Sequence, residues 1–491
     1  MTSPAHLRAP RSRALGAAAL LLLALAFVLR FQGLCDSGLS HWDEGTFAAG
    51  PLGLGPYGRG MPWITYAPPL VPGVLRALFA LGGEHAPLAL GFAAVCGGAT
   101  VALVWFGGRR LVGEREALAA AAVLGGMEFH LAFSRLALTD VPFTLFFLLA
   151  LVLLHEACTR GHRGLALLAG LAAGAAQWTK YHGFFVLLAA ALALLLSRAR
   201  GAAWRSWLAA ALVAGLLTLL LAIALEEALG LAALRANNAR WLVAPQPWVF
   251  SKTALFVARC LGHWVSAPVL ALAALGCARW VRRRTPADCL WLAWTALFLA
   301  ALPFYTNYPR LLVPLLVPLA FAAAAGLDWI CARLSARSWA LLALLLAAHG
   351  AFCARAALAL RANGYRAAAV WLGRAARDTH PDLLVTQHAL VFELGHTTQP
   401  GLTYDEPGAE PALEGRAFRY LVADLRLAHA PRFARWIEEH AGELELVATL
   451  ENPLAAGVLV NSVGFEGLAA RSTPEGHLAL ETIRIWRLRS R

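Results

Sequence analysis

The stretch SWLAAALVAGLLTLLLAIAL, which occupies residues 206–225, contains no charged side chain. A helix of about 20 mainly apolar residues is as long as the hydrocarbon core of a bilayer is thick. The stretch therefore predicts a helix that spans a membrane. Composition supports this interpretation, because 59% of the 491 residues are hydrophobic and 14% are charged, against about 25% charged in soluble domains. An ordinary soluble enzyme and a disordered chain are both excluded.

Ten other apolar runs predict further spanning helices, so the predicted fold class is a polytopic α-helical membrane protein of about 11 spans. Two longer segments, loops 32–85 and 226–253, separate some of them. The predicted helices lie near 14–31, 86–106, 117–134, 141–157, 164–179, 183–197, 206–225, 254–277, 287–304, 311–330 and 338–356.

The distribution of charge predicts the orientation of the spans. Residues 1–357 contain 28 Lys and Arg against 13 Asp and Glu, whereas residues 358–491 contain 14 Arg against 16 Asp and Glu. With the N-terminus in the cytoplasm, 17 of the 28 basic residues fall at the N-terminus and in short inner loops, as the positive-inside rule requires. The loops 32–85 and 226–253 and residues 358–491 are then outside. Because the basic residues are dispersed among apolar spans, nucleic-acid binding is a poor interpretation.

The predicted domains are a transmembrane domain at 1–357 and an extracytoplasmic, soluble mixed α/β domain at 358–491. Alternating strand and helix patterns support the second domain. Its predicted strands are 383–386, 420–423, 444–450 and 483–488, and its predicted helices are 364–377 and 431–440.

Asp43 and Glu44 are adjacent carboxylates in the first outer loop, within the segment His41–Thr46. Carboxylates at a membrane surface are costly unless they are solvated or used. A low-dielectric boundary changes the proton affinity of a carboxylate, which suits a general base. The alternative is an ordinary solvated acidic loop.

Asp140 lies in the short outer turn Ser134–Pro142, directly before a predicted span. Pro142 is tolerated in the first turn of a helix, and the helix dipole favours an anion at that end. Asp140 is therefore either a simple helix cap or a functional acid, and Arg135 is close enough in sequence to pair with it.

Lys180 and Arg310 lie at the predicted outer boundary of the membrane, in the segments Trp178–His182 and Tyr305–Arg310. A lysine between apolar helices needs a partner or a ligand, and phosphate suits its point charge. The alternatives are a Lys180 side chain that snorkels to the interface and an aromatic belt that anchors Arg310. Acids and bases from distant segments thus map to one membrane face, where they can activate a hydroxyl and neutralise a departing phosphate.

The order of these motifs resembles the GT-C glycosyltransferases. An acidic pair in the first outer loop precedes a Pro-Pro-Leu at 68–70, an Arg…Asp-x-Pro turn at 135–142 and a Thr-Lys turn at 179–180. The closest pattern is the bacterial family-39-like group, related to protein O-mannosyltransferases and to the lipid A aminoarabinose transferase. The resemblance covers residues 14–357. Ala67 departs from it, because the group often has a polar residue there.

This resemblance implies an inverting transfer of a hexose or pentose from a polyprenyl-phosphate sugar to a hydroxyl of a glycan, lipid or protein acceptor. It places the reaction at the outer face of a bacterial inner membrane. Asp43 then deprotonates the acceptor, and a divalent metal, Mg²⁺ or Mn²⁺, held by Glu44 and Asp43 stays an open alternative. The resemblance implies Asp43, Glu44 and Asp140 as catalytic residues, and we assign Lys180, Arg310, Arg135, Tyr308 and His182 to the substrate.

Three other functions remain open at this point. A transporter or flippase of a lipid-linked sugar would use intramembrane charges along a pathway, although we find no internal repeat of hydropathy. A non-catalytic assembly factor would use residues 358–491 to bind a partner and would not need Asp43. A polymer ligase would have the same class of site with an oligosaccharide-lipid donor.

Overall fold

The fold is known from a computed structural model of the protein. The structure describes residues 9–489 except 65–66, 200, 240–241, 243–246, 306–307, 334–349, 351–362, 376–382, 386, 396–401, 404–405, 407, 425–429 and 456–477. The predicted span at 338–356 lies almost wholly outside the described residues.

The chain forms two compact units. The first, here the helical unit, contains residues 1–30, 95–131 and 140–355. The second, here the mixed unit, contains residues 31–94, 132–139 and 356–491. The whole first loop, 32–85, thus belongs to the same unit as the C-terminal residues.

The helical unit is built from helices that follow one another with short connections. In chain order they are α1 (Ala9–Phe31), the C-terminal part of α4 (Ala86–Leu111), α5 (Glu114–Gly126), α6 (Glu128–Phe133), α7 (Asp140–Arg160), α8 (Arg163–Thr179), α9 (Phe185–Leu196), α10 (Gly201–Leu229), α11 (Leu231–Ala239), α12 (Pro247–Trp264), α13 (Ala267–Arg283), α14 (Pro286–Ala301) and α15 (Leu316–Cys331). A 3₁₀ segment at Pro309–Leu315 leads into α15.

The chain is a multi-pass membrane protein. Six helical segments among the described residues are long and apolar enough to cross a bilayer. They are Leu15–Asp36, Ala86–Leu111, Asp140–Arg160, Gly201–Leu229, Pro286–Phe304 and Pro309–Cys331. Each overlaps a predicted span, while the total of about 11 stays a prediction.

Two predicted spans are broken in the structure. The span near 254–277 is interrupted between α12 and α13, because Ser266 is extended and Pro268 lies in the first turn of a new helix, where its missing N–H costs nothing. The span near 117–134 is interrupted after Gly126, where Met127 takes an extended conformation between α5 and α6.

Small residues allow the helices of this unit to pack closely. A Cβ on Gly276 of α13 would collide with the Ala322 carbonyl of α15, and a Cβ on Gly326 would collide with the Leu272 carbonyl. Helices in a bilayer gain little from burying apolar side chains, so close backbone approach through small residues is what stabilises their contact. The α13–α15 contact therefore depends on these two glycines.

The mixed unit combines loop helices with a five-stranded sheet. Its helices are α2 (Trp42–Ala49), α3 (Leu70–Gly82), the start of α4, α16 (Gly364–Ala375), α17 (His388–Leu394), α18 (Ala409–Glu414) and α19 (Pro431–Glu439). Its strands are β1 (Leu383–Val385), β2 (Leu402–Thr403), β3 (Tyr420–Ala423), β4 (Leu444–Ala455) and β5 (Leu478–Leu488).

The sheet has the strand order β2-β1-β3-β5-β4. The strand β1 pairs in parallel with β2 and β3, while β5 pairs antiparallel with β3 and β4. The amphipathic helix α19 buries Phe433 and Trp436 in a cluster that also contains Leu421 of β3 and Leu444 of β4. The predicted mixed α/β character of the C-terminal residues is thereby confirmed.

A buried polar cluster lies at the start of α16. The Tyr365 hydroxyl oxygen lies 3.0 Å from Oδ2 of Asp424 and 2.8 Å from Oε1 of Glu481, and it accepts a hydrogen bond from Nε2 of Gln387. A hydroxyl has one proton, so Tyr365 donates to one of these carboxyl groups at a time while it accepts from Gln387. Burial raises the pKa of Tyr365 well above its ordinary value.

Candidate active site

Asp43 and Glu44 lie in the first turn of α2, which begins at Trp42. His41 caps this helix, because its Nδ1 accepts a hydrogen bond from the Asp43 amide at 3.1 Å while its own amide donates to Oε2 of Glu44 at 2.7 Å. This reciprocal capping box satisfies amides that a helix start leaves unpaired. All eight residues of α2 are buried. The local sequence His41–Glu44 therefore fixes the orientation of the first turn.

The Glu44 carboxylate is fully buried and accepts four hydrogen bonds. Oε2 accepts from the amide and hydroxyl of Ser40 and from the His41 amide, and Oε1 accepts from the Ala137 amide at 2.6 Å. Burial raises the pKa of Glu44 to about 7, although these donors act in the opposite direction. Glu44 thus ties α2 to the segment 132–139.

These contacts do not fit a metal ligand. Oε2 of Glu44 already accepts three donors, and protons on those donors would repel a cation. Among the described residues, no group of three His, Cys, Asp or Glu side chains is close enough to hold a metal ion.

Asp43 has a different environment from that of its neighbour. Its side chain retains 8% exposure, whereas Glu44 has none. Its position in the first turn of α2 places the carboxylate where the helix dipole stabilises a negative charge. Of the two predicted acids, Asp43 is therefore the more accessible to solvent.

Arg135 lies in the segment 132–139 and is also buried. Its Nη1 donates to the Gln32 carbonyl at 2.8 Å, and burial lowers the pKa of its guanidinium from the ordinary value. Sequence reasoning suggested Asp140 as its partner, whereas this contact holds it to the start of the first loop.

Asp140 is the first residue of α7 and forms an ion pair with Lys180, which follows α8. Nζ of Lys180 lies 2.6 Å from Oδ1 of Asp140. The pair is nearly closed to solvent, with 1% of the Asp140 side chain exposed. Oδ2 of Asp140 is buried and has no hydrogen-bond partner within the described part of the chain. The helix-cap alternative for Asp140 therefore does not account for its contacts.

The remaining predicted residues of the helical unit lie among aromatic rings. The imidazole of His182 packs edge-on against Phe143 and Phe298, with ring centroids 4.8 and 6.1 Å apart. The guanidinium carbon of Arg310 lies 5.5 Å from the centre of the Tyr308 ring, within the range of a cation–π contact. His182 thus packs against apolar rings, and Arg310 contacts the face of an aromatic ring.

The eight predicted residues are thus distributed over both units. The mixed unit contains Asp43, Glu44 and Arg135, and the helical unit contains Asp140, Lys180, His182, Tyr308 and Arg310. Within the first set, Glu44 and Arg135 hold the first loop, and within the second set Lys180 and Asp140 are in direct contact.

Sequence reasoning missed three residues that are hydrogen-bonded to one another at α2, namely Thr46, Tyr57 and His388. The Tyr57 hydroxyl contacts both the Thr46 hydroxyl, at 3.0 Å, and Nδ1 of His388, at 2.8 Å. A single histidine in an apolar segment carries no sequence signal of function, and 345 residues separate His388 from Asp43.

Solved structures of similar fold cover almost the whole chain. ArnT from Cupriavidus metallidurans in the apo state matches with a TM-score of 0.64 at 15% identity, and the match covers 96% of this chain and 98% of ArnT. The chain has a GT-C fold. The same enzyme bound to undecaprenyl phosphate matches with a TM-score of 0.57, at 15% identity, over 94% of this chain and 97% of its own.

A second GT-C structure shows the same architecture. The archaeal oligosaccharyltransferase AglB from Archaeoglobus fulgidus, in complex with an inhibitory peptide and a dolichol-phosphate, matches with a TM-score of 0.57 and 13% identity. The match covers 96% of this chain and 74% of the AglB chain. In sequence, residues 66–225 match the family model of dolichyl-phosphate-mannose-protein mannosyltransferases. No curated protein sequence matches the chain. The resemblance to the GT-C superfamily and to O-mannosyltransferases is confirmed.

Proposed function

We propose that this protein is an integral-membrane glycosyltransferase. It moves a hexose or pentose from a polyprenyl-phosphate donor to a hydroxyl of a glycan, lipid or protein acceptor, at the outer face of a bacterial inner membrane. The observation that carries the proposal is a GT-C fold in which Asp43 lies in the first turn of a buried, capped helix of the first loop. The related ArnT structure contains undecaprenyl phosphate, which supports a lipid phosphate as the donor group.

Asp43 is the general base of this reaction. Its carboxylate takes the proton of the acceptor hydroxyl while the hydroxyl oxygen attacks the anomeric carbon. The bond between that carbon and the phosphate oxygen breaks on the opposite face, so a single displacement inverts the configuration. Polyprenyl phosphate leaves with the electron pair of the broken bond, and the proton stays on Asp43. Glu44 supports Asp43 by holding α2 in place.

Lys180 and Arg310 stabilise the negative charge that develops on the departing phosphate. An ammonium group has three donors, so Lys180 can hold Asp140 and a phosphate oxygen at the same time. Asp140 thereby orients Lys180, and its buried Oδ2 is available for a polar group of the substrate. Tyr308, His182 and Arg135 are assigned to the surroundings of the substrate.

The test is turnover of polyprenyl-phosphate sugars by the purified protein in lipid, with a panel of donors and an envelope extract as the acceptor. Asp43→Asn should bind donor but lose about 10²–10⁴-fold in turnover, the usual contribution of a general base. The matched control is Asp36→Asn, which neutralises an exposed acid of the same loop and should retain activity. If wild type leaves every donor intact but moves labelled lipid across the bilayer, the flippase alternative replaces this proposal.

A further inference from the structure

A chain of hydrogen bonds in the mixed unit begins at His388 of α17 and ends at α2. The Thr46 hydroxyl lies 3.3 Å from the Trp42 carbonyl, the Tyr57 hydroxyl lies 3.0 Å from the Thr46 hydroxyl, and Nδ1 of His388 lies 2.8 Å from the Tyr57 hydroxyl. These four residues are here called the His388 relay.

Counting protons gives this relay a direction. The Trp42 carbonyl only accepts, so Thr46 donates its single proton to it and must accept from Tyr57. The one proton of Tyr57 is then used, and Nδ1 of His388 must carry the hydrogen that Tyr57 accepts. The donation thus runs from the imidazole of His388, through two hydroxyls, to the carbonyl that directly precedes Asp43. The hydrogen bond fixes which ring nitrogen is protonated.

The relay lies in a dry contact between α17 and α2. His388 and Thr46 are fully buried, and Trp42 and Tyr57 are buried, so water does not compete for these hydrogen bonds and each one gains strength. The Trp42 and His388 rings meet edge to face, with centroids 4.0 Å apart and an interplanar angle of 86°, a favourable aromatic geometry.

Glycine at position 45 makes this contact possible. A Cβ on Gly45 would overlap the backbone of His388 and Ala389. The two helices therefore touch through their main chains next to Asp43, and α17 fixes the position of α2 from one side. Glu44 fixes it from another side through its hydrogen bonds to residues 40, 41 and 137.

From these contacts we propose that His388 is a positioning residue for Asp43. The C-terminal part of the chain then belongs to the catalytic machinery, because it orients the first turn of the helix that carries the base. This inference rests on the proposed function for the role of Asp43, but the relay itself can be measured without any substrate.

The test compares three variants of the full chain purified in lipid. His388→Leu removes the donor at the head of the relay, whereas His388→Asn retains an N–H donor near the position of Nδ1. His440→Leu is the matched control, because it removes a histidine of the same unit that hydrogen-bonds Trp436 in α19, away from α2. One readout is hydrogen exchange of the amides at 42–49, and the other is donor turnover.

We expect the amides of α2 to exchange about tenfold faster in His388→Leu, as the loss of a buried hydrogen bond implies. Turnover should fall about 100-fold, the effect of displacing a catalytic group by roughly 1 Å, while the KM for donor changes less than about twofold. His388→Asn should recover most of the wild-type protection of α2 and most of the wild-type turnover. His440→Leu should change neither the exchange rate nor the turnover. In an Asp43→Asn background, His388→Leu should cause no further loss, because both changes act on the same group.

Unchanged exchange of α2 in His388→Leu would overturn the proposal, as would His388→Asn behaving like His388→Leu in both readouts. A loss of donor affinity in place of turnover would overturn it too, since that would place His388 at the donor. If wild type transfers no sugar, the proposed function fails, and the exchange measurement still decides whether His388 orders α2.

Discussion

Lys180 and Asp140 form a buried ion pair between the end of α8 and the start of α7, with Nζ 2.6 Å from Oδ1. Sequence patterns assigned Lys180 to a phosphate and Asp140 to the catalytic acids, without predicting a contact between them. Their contact means that a change at either residue also alters the environment of the other. Structural and substrate roles must therefore be separated by paired variants.

Lys180→Met should destabilise the protein by about 3 kcal/mol or more, because it leaves a buried carboxylate without its cation. Adding Asp140→Asn should restore much of the melting temperature, since the unpaired charge is then gone. The KM for donor should stay raised in the double variant if Lys180 binds phosphate. Full recovery of donor affinity would show that Lys180 serves only to neutralise Asp140.

Arg283→Met is the control for that experiment. Arg283 forms a bidentate ion pair with Asp288, with Nη2 2.6 Å from Oδ1 and Nε 2.8 Å from Oδ2, and neither residue is assigned to the substrate. Loss of this ion pair should lower the melting temperature, as in Lys180→Met. The KM for donor should stay at the wild-type value.

The stability of the first loop should depend on the ionisation of Glu44. Its pKa rises from 4.5 to about 7 in the folded protein, so the folded state holds the proton more tightly than the unfolded state. The protonated Glu44 side chain contributes about 3 kcal/mol to the free energy of unfolding. This contribution is fully present below pH 4.5 and is lost as the pH rises to about 7. The melting temperature of wild type relative to Glu44→Gln should therefore fall between pH 5 and 7 and level off above pH 8. A difference that is constant with pH would contradict this assignment.

Gly45→Ala should strongly destabilise the mixed unit, since its methyl group would overlap the main chain of α17 and overpacking costs about 1–3 kcal/mol or more. Gly73→Ala in α3 is the control, because a Cβ there meets nothing within 4 Å and Ala favours a helix over Gly. Thermal unfolding should show a loss for the first variant and no loss for the second. Equal melting temperatures would mean that α17 moves aside at little cost.

Tyr365→Phe should lower the melting temperature by an amount equivalent to about 1–3 kcal/mol, because it conserves volume but removes a hydroxyl bonded to three buried side chains. Melting curves of wild type and the variant test this, and an unchanged melting temperature would contradict it.

The sequence predicted secondary structure well where the patterns were long. The predicted C-terminal strands and helices each overlap an observed element, such as β3 at Tyr420–Ala423 and α19 at Pro431–Glu439. The short helix α17 was missed, because a mainly apolar stretch of seven residues does not distinguish a helix from a strand. The breaks at Met127 and Ser266 were also missed, since hydropathy averaged over 20 residues does not register a local change of backbone conformation.

The candidate site was predictable in residue type but not in contacts. Adjacent acids and isolated bases at the ends of spans are visible in the sequence, and they led to Asp43 and Lys180. Nothing in the sequence shows that Ala137 binds Glu44, because a backbone amide has no residue-specific signal. The same limit applies to His388, whose role depends on a contact across 331 positions with Tyr57.

Because residues 31–94, 132–139 and 356–491 form one compact unit, we expect that the C-terminal part cannot be exchanged between relatives as an independent module. A chimera joined at residue 357 would combine an α17 from one parent with an α2 from the other. The two helices would then have to pack without overlap at Gly45. Swaps of acceptor specificity should therefore transfer all three segments at once. A substitution in α17 that enlarges this contact should likewise need a compensating change in α2.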